Sequence, residues 1–389
     1  MTRAWSELVR DAVEWRHLLH RQPELTWSEH RTADEIRQRL DTAGIAWRTC
    51  AGTGTVATIA PDAPGRHVAL RADIDAMPVA EDSGVPYSSE HGGVMHACGH
   101  DGHTATLLAA GRWLHANEAD LPGPVTLLFQ PAEEGGHGAR EMIAGGALDG
   151  VDVIFGWHNW PAIPFGKAVC PDGPVMSANG TFVIDVRGAG GHASQPEETR
   201  DPVLAVAAIT VALQQLVARR VAPQRSAVVA VTSIDAPSVS PTTTPDTASL
   251  AGSIRVSDTS QRDEVFRTIS EIACATATAH GVEAVVTPTT RYGATVNHPG
   301  PAAEFRSLLG ERLGADWHSA ASLVPVMASE DFSYYLDEVP GAFALVGADD
   351  GQGHHEPCHS PRYDFNDRLI DPVAGVLTQL AGAPPPPES

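Results

Sequence analysis

The 389 residues carry 48 Asp and Glu against 26 Lys and Arg, a formal net charge of −22, which excludes the basic surface needed for nucleic-acid phosphates or an anionic membrane face. Hydrophobic residues make up 42% and charged residues 19%, so the chain is an ordinary globular one, long enough for two domains at about 100–200 residues each. No run approaches about 18 consecutive apolar residues and the N-terminus lacks the apolar core of a signal peptide, so a cytoplasmic protein with no nucleic-acid or membrane partner is expected.

Residues 1–45 read as helical with a break at Pro23, and Leu18, Leu19, Ile36 and Leu40 fall at core-facing spacings. Short apolar, β-branched runs follow at 55–60, 67–75, 125–131 and 151–159, with a helix over 103–118 between the second and third. Bounded by Gly or Pro, such runs suit buried strands, and their alternation with helices predicts an α/β sheet domain. From residue 179 the order becomes strand (181–188), helix (202–220), strand (226–235), strand (247–257), helix (262–281), strand (283–291). This is the βαββαβ pattern of a ferredoxin-like α+β domain, complete in itself. After residue 293 the α/β texture resumes, with a helix over 302–313. The expected organisation is a discontinuous catalytic domain, 1–178 and 293–389, with residues 179–292 inserted. Residues 237–246 read as a flexible loop and the APPPPES tail as a solvated end.

The chemistry falls at the ends of the predicted strands, where open α/β sheets place their sites. Asp73 and Asp75 close ALRADID; Asp75 reads as the acid that orients a ligating histidine, and Asp73 as a helper or as the partner of Arg71. Cys98 and His100, in MHACGHDGHTA, alternate on an extended or turning segment just before a helix and suit a divalent ion, although the pair also reads as a core cysteine beside a structural histidine. His96 and His103 flank them in supporting places. Glu133 and Glu134 follow VTLLF. Adjacent side chains diverge, so Glu134 is assigned to metal and Glu133 to proton transfer. His158 ends VDVIFGWH. His359 lies in a turn-rich segment, with His354 and His355 as rivals for its place. His192, on the glycine-rich turn GAGGHASQP, suits a donor to an oxyanion if its domain caps the site. Arg255 and Asn297 suit a substrate carboxylate or carbonyl, and read equally well as structural. Five donors exceed one tetrahedral zinc but suit two adjacent ions. The five cysteines, odd in number and irregularly spaced, give no disulfide framework and fit a reducing compartment.

Taken in order, MHACGHDGHTA, FQPAEEGG, HNWP, GAGGHASQP, SEDFSYY and HSPRYDF resemble the motifs of the metallopeptidase-related amidohydrolases, the aminoacylase, hippurate hydrolase and auxin-conjugate hydrolase group. The resemblance runs over nearly the whole chain. It implies a zinc-peptidase-like catalytic domain with a mixed sheet and an inserted lid that often also makes a homodimer. It implies two divalent ions, Zn2+ or Mn2+ with Co2+ accepted, held by Cys98, His100, Glu134, His158 and His359. Glu133 would then be the base and His192 the lid histidine, which in several relatives reaches the neighbouring subunit. The expected reaction is hydrolysis of N-acyl-L-amino acids to a carboxylate and a free amino acid. The alternatives are a dipeptidase, a deacetylase of an N-acetylated biosynthetic intermediate, and a non-catalytic metal-binding or ligand-binding protein, which would need a broken ligand set or a missing base. Two positions depart from the pattern: His137 stands where a small residue is usual, and Cys358 precedes His359.

Overall fold

The computed structural model describes residues 4–319 and 324–387. The chain divides into two compact units. One comprises residues 1–175, 296–324 and 331–389; the other comprises 176–295 and 325–330.

The first unit is built on a seven-stranded mixed sheet. In spatial order its strands are Ala46–Cys50, Gly54–Ile59, Val125–Gln130, Val68–Asp73, Val153–Pro164, Gly341–Asp349 and Ala168–Val169. The four central strands, Val125–Gln130 to Gly341–Asp349, run parallel, and the outer pairings are antiparallel. Every residue of Val68–Asp73 and Val125–Gln130 is buried, as expected of strands covered on both faces. Helices Trp5–Arg21, His100–Ala116 and Ile370–Leu380 pack on one another, and Pro299–Leu313 packs on Ile370–Leu380 and Gly341–Asp349. The parallel register sets the level of the site. Asp73 pairs with Gln130, and Leu70 pairs with Phe155, so that Asp73 and His158 each lie three residues further along.

The second unit carries a four-stranded antiparallel sheet in the order Ala227–Asp235, Thr247–Val256, Ala178–Arg187, Glu283–Thr290. Helices Pro202–Arg220 and Arg262–Ala279 complete a βαββαβ sequence. Pro202–Arg220 is long and apolar enough, by length and composition, to cross a membrane, which the search for apolar runs does not reveal. Its Ala205, Val206, Ile209, Leu213 and Leu216 are buried in the core of this unit with Phe182, Leu250 and Ile269.

Some expectations differ from the structure. Leu18 is 49% exposed while Leu19, Ile36 and Leu40 are buried; two adjacent leucines on a helix cannot share one face. Ala46–Cys50 is a strand not foreseen, because its burial pattern carries almost no apolar alternation. The helix expected from 103 begins at His100. The loop 237–246 contains Thr243–Thr244, paired with Gly191–His192. Residues 325–330 lie with the second unit because Ser177 N donates to Val326 and Ala328 O, at 3.0 and 2.9 Å. In the proline-rich tail Ala383 and Pro386 are buried and Arg312 Nη1 reaches Pro386 O; its last two residues lie outside the described residues.

Candidate metal centre

Asp75 organises the site. Its Oδ2 accepts from Thr26 Oγ1 at 2.8 Å and from Glu134 N at 3.1 Å. Its Oδ1 accepts from Glu133 N at 3.1 Å. One carboxylate therefore pins the turn that carries both glutamates. The His100 Nδ1 lies 2.9 Å from Asp75 O and 3.3 Å from Asp75 Oδ1. A carbonyl only accepts, so Nδ1 carries the proton and Nε2 presents its lone pair. That Nε2 is buried without a hydrogen-bond partner. His158 follows the same logic: its Nδ1 donates to Asn159 O at 2.6 Å, which leaves Nε2 facing Cys98 Sγ at 3.3 Å.

The turn before His100 explains how Cys98 joins it. Of the extended and turning forms open to the segment, it takes the turning one. Gly99 has φ 86°, and an added Cβ would stand 2.4 Å from Tyr363 Oη and 2.5 Å from Asn159 Oδ1. Only glycine makes this left-handed turn in the space present. It lets Cys98 end the turn and His100 start the helix with their donors converging.

The five expected donors form one continuous cluster. Cys98, His100 and His158 bring donor atoms within 4.8 Å of one another. So do Cys98, Glu134 and His359, and so do His100, Glu133 and Glu134. Cys98 and His100 each belong to two of these groups, and so does Glu134. His359 N donates to Ala97 O at 2.7 Å, which brings the late segment to Cys98. His359 has φ 72° and places Nε2 3.2 Å from Glu134 Oε1. Its rival His354 is engaged elsewhere, with Asp350 at 2.9 Å and Asp364 at 3.6 Å.

The electrostatics fit a cation. Burial alone would push His100 down, yet Asp73, Asp75 and Glu134 raise it to about 10, so the surrounding carboxylates favour positive charge at this imidazole, which a cation on Nε2 would supply. Burial and then His103 hold His158 well below the ordinary imidazole value, as a neutral donor requires. The hydrogen bond with Cys358 and then burial push the Cys98 thiol well up; a bound cation reverses that preference. An orphaned buried imidazole nitrogen, a thiol and converging carboxylates are a donor set suited to divalent ions.

A second layer holds the donors. Asp73 takes Arg71 Nη1 at 2.7 Å and His103 Nδ1 at 2.6 Å, and lies 3.5 Å from His100 Nε2. Both roles considered for Asp73 thus coexist. His103 Nε2 meets Asn159 Oδ1 at 2.7 Å, and Asn159 Nδ2 donates to Tyr363 Oη at 2.7 Å. His96 is buried with neither ring nitrogen partnered, and burial pushes it down to about 4. Asp331, in SEDFSYY, accepts from Gln130 Nε2, Ala139 N and Arg71 Nη2 at 2.9, 2.9 and 3.2 Å, and its own N lies 3.4 Å from Glu133 Oε1. Asn159, Tyr363 and Asp331 have no role in the sequence reading; their only signal is that they stand inside motifs already singled out.

His192, Arg255 and Asn297 are not among these donor groups. His192 belongs to the second unit and is exposed; its Nδ1 accepts from Ser194 N at 3.1 Å and lies 2.7 Å from Ser194 Oγ. Arg255, in the same unit, donates from Nη1 to Ser329 Oγ at 2.8 Å. Asn297 is 2% exposed. Its Nδ2 donates to Phe343 O at 2.9 Å and Pro171 O at 3.0 Å, and its Oδ1 accepts from Phe343 N at 2.7 Å. Both amide hydrogens are used, so Asn297 ties strands together where a substrate contact is expected of it.

The chain matches known proteins along most of its length. The family model for peptidase family M20/M25/M40 matches residues 69–383. Among curated relatives, the N-acetyl-L-cysteine deacetylase of Bacillus subtilis is 38% identical over 380 residues, covering 97% of this chain and 88% of that protein. The hippurate hydrolase of Campylobacter jejuni is 34% identical over 369 residues, covering 94% of each. The solved structure of Bacillus subtilis YXEP, a dinuclear metal binding peptidase of the M20 family, aligns with a TM-score of 0.83 at 29% identity, over 97% of this chain and 98% of that one.

Proposed function

This chain belongs to peptidase family M20/M25/M40, and from that premise we propose that Cys98, His100, Glu134, His158 and His359 hold two divalent ions and that Glu133 is the catalytic base. The protein is a metal-dependent amidohydrolase that cleaves the amide bond of N-acyl amino acids. The observation that carries the reading is the sharing of Cys98, His100 and Glu134 between overlapping donor groups, which gives adjacent places for two ions.

When bound, two such ions polarise a carbonyl and lower the pKa of water. The rest is the work of side chains. His100 and His158 keep their Nε2 atoms in place because each Nδ1 is fixed to a carbonyl. Glu133 is 6% exposed, and Asp331 N lies beside its Oε1. From there its carboxylate takes a proton from water and returns it to the leaving amine. His192 is assigned to donate to the developing oxyanion, and Arg255 to hold the substrate carboxylate. A homodimer through the second unit would bring His192 to a neighbouring site.

Thiol and imidazole donors favour zinc, while the glutamate-bearing side also accepts manganese or cobalt. The five cysteines are all free, which supports a cytoplasmic location. The test is amino-acid release from N-acetyl, N-benzoyl and long-chain N-acyl amino acids and from dipeptides. It is run on metal-stripped protein with zinc, manganese or cobalt added back. Metal-restored release from an acyl class is expected. Release from dipeptides alone would replace this substrate class, and no release with any metal would overturn the reading.

A further inference from the structure

Cys358 stands beside His359, and the metal reading makes no use of its thiol. The residue is half-buried, with Asn159 Nδ2 3.9 Å from its Sγ. Among the described residues no group of three converging donors includes it. Its neighbour is Cys98. The bond from His359 N to Ala97 O, 2.7 Å long, clamps side by side the two backbone segments that carry the cysteines, and the Cys358 side chain is the first cause that holds the Cys98 thiol well up. Cys98 itself is buried, with Sγ 3.3 Å from His158 Nε2 and within 4.8 Å of donor atoms of Glu134 and His359. One thiol thus sits in the donor cluster, and a second, more accessible one lies on the segment clamped beside it.

We propose that Cys98 and Cys358 form a modification site for hydroperoxides, at which oxidation joins the two sulfurs in a disulfide and withdraws Cys98 from the metal centre. The inference rests on the reading of Cys98 as a ligand. In the first step the more accessible Cys358 sulfur attacks the terminal oxygen of the hydroperoxide. The O–O bond breaks, Cys358 becomes a sulfenic acid, and water or an alcohol leaves with the thiol proton. In the second step Cys98 sulfur attacks the sulfenic sulfur. The S–S bond forms, the S–O bond breaks, and water leaves. Two thiols lose two electrons in all and one hydroperoxide gains them. The flanking backbone is already clamped by the His359 N to Ala97 O bond, so reaching a bonded separation of about 2.05 Å falls to side-chain rotation. The disulfide has no thiolate to offer a metal, so the cluster loses a donor that two of its groups share. A thiol reductant restores it. Without Cys358, oxidation of Cys98 has no resolving partner at this place and runs on toward sulfinic acid, which reductants do not reverse.

The test uses full-length zinc-loaded protein, treated with hydrogen peroxide and then with dithiothreitol and zinc. Bound zinc is followed with a chromophoric chelator, and peptides are mapped without reductant. The wild type is expected to release zinc as a Cys98–Cys358 linked peptide pair appears, lighter by two hydrogen atoms, and to regain zinc after reduction. Cys358→Ser should bind zinc and turn over normally when untreated, but its oxidative zinc loss should not be recovered by reductant. Zinc release without the linked pair, or thiol-reversible release from Cys358→Ser, overturns the proposal. A Cys98→Ser variant separates the two layers: if it holds as much zinc as the wild type, the ligand reading of Cys98 falls whether or not the disulfide forms.

Discussion

Asp75 is 1% exposed and bonds to Thr26, His100 and the backbone of both Glu133 and Glu134. Replacing it by Ala removes the acid that orients His100 and frees the glutamate turn. Zinc affinity, measured by competition with a chelator, should fall by about 10–100-fold; unchanged affinity would show that the turn holds itself. A second residue-scale outcome concerns His20. Burial pushes it down, but Asp101 and Glu81 raise it to about 9, against about 6.5 in the unfolded chain. A raised folded value stabilises fully below about pH 6.5, and the stabilisation is lost as pH rises through about 9. The unfolding free energy of metal-free protein from urea titration should therefore drop across that window, by up to about 3 kcal/mol, and His20→Asn should flatten the drop. Equal slopes would exclude His20 as the cause. The donors and Asp75 were legible because their residue types have few other uses at strand ends. For Asn297 the substrate and structural readings stayed level, because the partners that its amide meets, Phe343 and Pro171, lie far away in sequence. A polar side chain looks the same in sequence whether it faces a ligand or a backbone.

At the scale of elements, the parallel strands and the start of the helix at His100 bring the donors to one level. The strand positions follow from compact apolar runs, so this part of the site could be anticipated. The sequence left the segment before His100 open between extended and turning, because alternation fits both; Gly99 makes it a left-handed turn. Gly99→Ala tests the distinction. It adds about 1–2 kcal/mol of backbone strain and a Cβ overlapping Tyr363 and Asn159. Both the urea midpoint and the bound zinc should fall. A variant with normal zinc content would mean that Cys98 and His100 converge without this turn. The edge strand Ala46–Cys50 and the pairing of Gly191–His192 with Thr243–Thr244 escaped the sequence because ladder bonds, not apolar pattern, define them.

At the scale of the molecule, the first unit is completed only after the chain returns from the second, since His359 follows it in sequence and still meets Glu134. The change of texture near residue 179 made that interruption readable; the return of 325–330 to the second unit was not, because it depends on backbone bonds from Ser177. If the second unit makes a homodimer, sedimentation should give twice the 41.0 kDa of the chain; a strict monomer at micromolar concentration would remove any cross-subunit role for His192. The most direct measurement is metal content and turnover of Glu133→Gln beside the wild type. Two ions per chain in both proteins, with turnover of the variant lower by about 10²–10⁴-fold or more, is the result this account predicts. Near-normal turnover would contradict Glu133 as the proton carrier, and a single ion per wild-type chain would contradict the paired centre.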